Sequence, residues 1–180
     1  MSRAHIIFGV ALMLGIPARA QLEQHATYRL ALDKDHSVVA YLPDDSFTPG
    51  ATRTTDAKEV CSETTKQFRK TTAAMKRQVY AEYSAKKIKD HCCEVDHLIP
   101  LELGGADEVV NLWPQPYPQA HWKDAVETWL HREVCAGRRD LVESQHAIAM
   151  NWYVLYVEMN AALAAPEKSS DEGGPHAARN

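Results

Sequence analysis

Apolar residues recur at helical spacing over most of the central chain, and the pattern breaks once. Thr55 or Asp56 is placed to cap a short helix running through Cys61, and Thr71 or Thr72 to cap a longer one carrying Met75, Val79, Tyr80 and Tyr83, with its basic residues on the other face. Gln119 to Ala136 reads as a third helix, with Trp122, Val126, Trp129, Leu130 and Val134 on one stripe and Gly137 as a stop. Asp140 then caps a fourth, in which Leu141, Gln145, Ile148, Trp152, Leu155, Tyr156 and Met159 keep the period nearly to Pro166. The four Trp are read as core and interface residues. Residues 21–50 alternate only weakly and hold the turn compositions Leu42-Pro43-Asp44-Asp45 and Thr48-Pro49-Gly50, which predicts loops with one short strand.

The break lies between Cys93 and Tyr117. Val95, His97 and Ile99 alternate with Asp96 and Leu98, as in a short strand that Pro100 ends. Gly104-Gly105 makes a turn, and Val109 to Trp113 reads as a second extended segment before Pro114, Pro116 and Pro118. With the following helix this is a small ββα unit, and the expected fold class is α+β, mainly helical.

The first twenty residues change the bounds. Arg3, the apolar run from Ile6 to Ile16 and Ala18-Arg19-Ala20 form a secretory signal pattern with cleavage expected after Ala20, and an uncleaved N-terminal anchor is the alternative. The expected organisation is a signal at 1–20, a loop-rich segment at 21–50, one domain at 51–165 with its ββα unit at about 93–136, and a disordered tail at 166–180. An exported chain, periplasmic or secreted, also permits disulfides.

The whole 180-residue chain carries a formal charge of -4, which argues against a polybasic binder. Loss of Arg3 and Arg19 with the signal leaves -6. The charge is nonetheless unevenly distributed. From Lys58 to Asp90 nine basic residues, among them Arg69, Lys76 and Arg77, stand against four acids, a local +5 immediately before the ββα unit. Such a face suits a phosphate backbone, with low sequence specificity as the default because no helix rich in Arg, Asn and Gln is placed to read base edges.

The chemistry concentrates in that unit. Asp96 and His97 are adjacent, Asn111 lies on the second extended segment, and His121 and Lys123 lie in the first turn of the next helix. Adjacent strand residues face opposite ways, so a bend at the strand end is needed to aim Asp96 and His97 at one pocket. A carboxylate from Asp96 and an imidazole from His121 suit a divalent cation, His97 suits a general base near neutral pH, and the Asn111 amide suits a partner for its other ring nitrogen. Lys123 adds positive potential at a phosphate.

The run Glu94-Val95-Asp96-His97-Leu98-Ile99-Pro100-Leu101-Glu102-Leu103-Gly104-Gly105, then Asn111-Leu112-Trp113-Pro114, then His121-Trp122-Lys123-Asp124 resembles the HNH endonucleases, over residues 93 to 124. The flanks Thr48-Pro49-Gly50, Val60-Cys61, Val134-Cys135-Ala136-Gly137 and Trp152 look like an exported bacterial branch of that family. The resemblance implies a ββα-metal fold and a metal-dependent endonuclease acting on DNA or, alternatively, RNA. It implies Asp96 and His121 as metal ligands, His97 as base and Asn111 as its orienting partner. Mg²⁺ is the expected ion, with Mn²⁺, Ni²⁺ or Zn²⁺ also compatible with such ligands. The alternative is a non-catalytic module of the same scaffold that binds metal or nucleic acid.

One departure from the family is plain: many members hold a structural zinc with paired Cys-x-x-Cys knuckles, and this chain has only Cys61, Cys92, Cys93 and Cys135. These read as disulfide material. Cys61 with Cys135 is the preferred pair among three complete pairings, while one or both of the adjacent Cys92 and Cys93 can instead be free.

Overall fold

A computed structural model describes residues 28–83 and 93–165. The expected signal at 1–20, the tail at 166–180 and the Cys92 thiol lie outside these residues. The described chain is mixed α+β, with four helices and two small antiparallel sheets. No helix among these residues is long and apolar enough to cross a membrane.

The four helices start where the caps direct. Asp56 accepts the Lys58 N–H at 2.8 Å at the head of α1 (Ala57–Ser62), and Thr72 accepts that of Met75 at 3.2 Å at the head of α2 (Ala73–Glu82). α3 (Gln119–Cys135) buries Val126, Leu130 and Val134 and ends before Gly137, whose φ of +70° suits a glycine past a helix end. α4 (Leu141–Ala164) begins on Asp140, which accepts from Glu143 N–H at 2.9 Å. Its period is interrupted at Asn151, whose side chain accepts from Tyr153 and Val154 N–H and restarts the helix as a second cap.

The N-terminal segment departs from the expected loop. β1 (Tyr28–Leu32) and β2 (Val38–Pro43) form an antiparallel hairpin around a turn in which Asp33 accepts the N–H groups of Asp35 and Ser37. The alternation is weak in sequence because Leu30, Leu32 and Val38 on its outer side are apolar yet exposed. Its inner side belongs to the same core as the helices. Ala31, Ala40 and Leu42 are buried there, Tyr28 donates its hydroxyl to Pro114 O at 2.7 Å, and Trp152 donates to Tyr41 O at 3.0 Å.

The second sheet positions the site. β3 (Cys93–His97) pairs antiparallel with β4 (Leu112–Pro116), so that Asp96 lies opposite Trp113 and His97 opposite Leu112. β4 starts three residues later than expected, because Val109–Asn111 is a single 3-10 turn, and the strand continues through Pro114 and Pro116. Proline lacks an N–H, which an outer strand of a two-stranded sheet tolerates. Gly104 and Gly105 let the connecting loop double back: Gly104 has φ +76°, and a side-chain carbon on Gly105 would lie 1.9 Å from Ile99 O. α3 packs across β3 and β4, and α2 lies against β4. Trp113 and Trp152 are fully buried, whereas Trp122 and Trp129 pack part-exposed at the edge of the core.

Cys61 and Cys135 form a disulfide between α1 and the end of α3, 74 residues apart. Closing a loop of that length in the unfolded chain is worth about 4 kcal/mol in the chain-entropy description.

Candidate active site at the end of β3

The last two residues of β3 make separate sets of contacts. His97 is 3% exposed, and its Nε2 lies 2.8 Å from Asp107 Oδ1. Asp107 sits on the loop that Gly104 and Gly105 fold back. Burial opposes its charge, but hydrogen bonds from the Thr71 hydroxyl, His97 and the Lys70 N–H outweigh that and hold the carboxyl below its usual range. An ionised carboxylate only accepts, so Nε2 carries the proton and Nδ1 presents its lone pair. Nδ1 makes no hydrogen bond among the described residues. Burial lowers the imidazole pKa against the pull of Asp107 and Asp96, with Arg69 adding to the lowering, so the ring is neutral at pH 7.

Asp96 is held by α3. Lys123 is 0% exposed, and its ammonium donates to Asp96 Oδ2 at 2.8 Å, to His97 O at 2.6 Å and to Glu127 Oε1. Those three acceptors use all three ammonium protons. Burial alone would lower the pKa of Lys123, but Asp96 and Glu127 together keep it above its usual range and hence charged. Burial, with Asp96 nearby, pushes the Glu127 carboxyl up to about 8 despite Lys123. Lys123 therefore does not face a phosphate as expected. It is an internal strut that ties α3 to both residues of the Asp96-His97 pair.

Asn111 is fully buried and closes the loop rather than touching the ring of His97. Its Oδ1 accepts from Ile99 N–H at 3.0 Å and Ala51 N–H at 3.3 Å, and its Nδ2 donates to Ile99 O and Ala106 O at 2.9 and 2.8 Å. All four hydrogen-bonding positions of the amide are used on main chain. The orienting role expected of Asn111 at the His97 ring is filled by Asp107.

His121 is 70% exposed, its ring tilted against Tyr117 with centroids 5.2 Å apart, and its Nδ1 lies 3.8 Å from Asp124 Oδ2. It makes no hydrogen bond or ion pair with Asp96 among the described residues. Two residues on a helix turn about 200°, so His121 is roughly 160° around α3 from Lys123, the residue that meets Asp96. Asp124 lies electrically between them. Burial raises its carboxyl, Asp96 raises it further, and Lys123 and His121 lower it.

Beside this set lies a cleft of about 220 Å³ lined by Thr65, Arg69, Glu102, Asp124, Glu127 and Thr128. Arg69 is exposed at its wall, and burial raises the Glu102 carboxyl. Lys76 and Arg77 are exposed on α2. The described residues thus bring together His97 with Asp107, Asp96 with Lys123 and Glu127, and Arg69 within electrostatic reach of His97. They do not bring His121 onto Asp96 or Asn111 onto the His97 ring. The only signal that marked Asp107 in advance is an acid following a Gly-Gly turn after a strand-end histidine; Glu127 is marked by its i+4 spacing from Lys123.

The donors at Asp96 suit a divalent cation in kind. Asp96 Oδ1 makes no hydrogen bond among the described residues, and Asp124 and His121 add a carboxylate and an imidazole on the solvent side. Among the described residues, the only group of three whose ligand atoms already lie close enough to share a metal is Cys61, His131 and Cys135, remote in role from this set. Comparison with family models, with curated proteins and with solved structures finds no match for this chain.

Proposed function

We propose that this chain is an exported, divalent-metal-dependent endonuclease that hydrolyses phosphodiester bonds in DNA with low sequence specificity, and that β3, β4 and α3 are its ββα-metal unit. The observation that carries the reading is the neutral His97, with Nε2–H committed to Asp107 and Nδ1 left free to accept a proton. In this reading Nδ1 takes the proton of the attacking water, and Asp107 keeps the ring in one tautomer and stabilises the imidazolium that forms. Arg69 draws the phosphodiester toward the cleft, while Lys76 and Arg77 extend the cationic surface along α2. Lys123 acts through Asp96: it occupies Oδ2 and leaves Oδ1 without a hydrogen bond among the described residues. Asp96 would hold the cation together with Asp124, whose carboxyl senses the Asp96 charge, and the cation when bound would supply Lewis-acid stabilisation of charge on the phosphate and leaving oxygen; His121 meets Asp124 and not Asp96. Export is supported by the apolar run at Ile6 to Ile16 and by the Cys61–Cys135 disulfide.

A second reading, a non-catalytic metal- or nucleic-acid-binding module, is favoured by the pairing at Asp96: Lys123 already neutralises that carboxylate, and His121 meets Asp124 instead. Plasmid DNA and a single-stranded RNA incubated with the purified protein, with Mg²⁺, Mn²⁺, Ni²⁺ or Zn²⁺ and with EDTA, separate the two. The nuclease reading expects nicking of the plasmid that EDTA abolishes and His97→Ala removes. Intact plasmid and intact RNA with every ion support the binding module, and cleavage of RNA alone would correct the substrate.

A further inference from the structure

Cys61, His131 and Cys135 offer two thiol sulfurs and one imidazole nitrogen that all lie within 4.8 Å of one another, and the two cysteines are already joined as a disulfide. His131 and Cys135 stand one helical turn apart on α3, and Cys61 reaches them from α1. His131 Nε2 is 3.5 Å from Cys135 Sγ. A tetrahedral zinc with Zn–S of about 2.3 Å and Zn–N of about 2.0 Å requires a sulfur–nitrogen edge of about 3.5 Å and a sulfur–sulfur edge of about 3.8 Å. The edge between His131 and Cys135 is in place, and the Cys61 sulfur lies within 4.8 Å of both atoms. Release of the disulfide frees the two sulfurs to take up zinc geometry.

We propose that this cluster is a redox-exchangeable staple: oxidised, it joins α1 to α3 by the Cys61–Cys135 bond; reduced, the same three side chains bind one Zn²⁺ and hold the two helices through the metal. A phosphine or dithiol breaks the S–S bond by delivering two electrons. With a phosphine, water supplies the oxygen of the phosphine oxide and the two protons that leave both cysteines as thiols. Zinc then takes both sulfurs as thiolates and releases two protons. Thiolate and imidazole donors select Zn²⁺ over Mg²⁺ or Ca²⁺. Cys61 and Cys135 are exposed, so reductant and metal reach them, and the cavity of about 110 Å³ beside His131, lined by Glu63 and Glu102, has room for water as the fourth ligand. The inference does not depend on the nuclease reading, because Cys61, His131 and Cys135 have no role in the His97 site.

Titration of the full chain with Co²⁺, followed by Zn²⁺, in the phosphine-reduced and the oxidised state tests it. The reduced protein is expected to develop thiolate–Co²⁺ absorption saturating at one equivalent and bleached by one equivalent of Zn²⁺, and the oxidised protein to develop none. Reduced His131→Ala loses the signal yet re-forms the Cys61–Cys135 bond on oxidation, which shows that α1 and α3 are still docked. Reduced Cys61→Ser and Cys135→Ser lose the signal too. Silence in the reduced wild type, equal absorption in the oxidised protein, or a signal undiminished in either serine variant or in His131→Ala would overturn the proposal.

Discussion

Asp96 and His97 are neighbours on one strand, yet Asp96 is tied to a buried ammonium while His97 keeps a ring nitrogen with no partner among the described residues. On the Asp96 side, α3 supplies Lys123 and Glu127, and every ammonium proton is used within the protein. On the His97 side a loop supplies one carboxylate, itself held by Thr71 and Lys70, and the other ring nitrogen makes no hydrogen bond among the described residues. A dipeptide that sequence treats as a single motif is therefore split by the strand's alternation into a half tied to a buried ammonium and a half with one unpaired ring nitrogen among the described residues.

Substitutions break this contrast to different extents. On the proposed function, His97→Ala has the largest effect, lowering kcat by about 10²- to 10⁴-fold in a plasmid-nicking assay while circular dichroism stays native. Lys123→Ala acts on the other half: it leaves Asp96 and Glu127 facing each other without a cation, and urea unfolding is expected to register a loss of about 3–5 kcal/mol. A midpoint unchanged in Lys123→Ala would mean that the ammonium is not the strut described here. Asn111→Ala strands buried main-chain groups of the loop and costs about 1–3 kcal/mol, without moving the pKa of His97.

Subtler changes sharpen the same comparison through pH. Asp107 raises the pKa of His97, so Asp107→Ala shifts the acid limb of the pH–rate profile to lower pH, and it also reduces the rate because neither tautomer is then enforced. The smallest effect is on stability. The folded pKa of His97 lies below the ordinary 6.5, so the unfolded chain binds more protons between the two values. The stabilisation is complete above pH 6.5 and is lost as pH falls through the folded pKa, with a slope under about 1.4 kcal/mol per pH unit. His97→Gln should flatten that part of the stability curve.

Legibility followed the kind of signal. The four helices and their caps at Asp56, Thr72 and Asp140 were readable because periodicity and capping are local. The N-terminal hairpin was hidden by apolar residues on both of its faces, and β4 by prolines that usually end strands. At the site, Asp96, His97 and Asn111 stood out by type and order, but their partners depend on loop closure and helix rotation. Lys123 resembled a surface lysine in the first turn of a helix, and its burial follows from where α3 crosses β3. Asp107 carried no periodic signal at all. Its place beside His97 arises from the Gly104-Gly105 reversal, a property of backbone approach rather than composition.

The central claim is that Asp107 holds His97 as a neutral Nε2–H imidazole with Nδ1 free. Long-range ¹H–¹⁵N correlation of the ring nitrogens across a pH titration reads both points directly. The account predicts the Nε2–H tautomer and a pKa below 6.5 for His97, with the pKa falling further in Asp107→Ala and unmoved in Asn111→Ala. An Nδ1–H tautomer, or a pKa above 6.5, would contradict it.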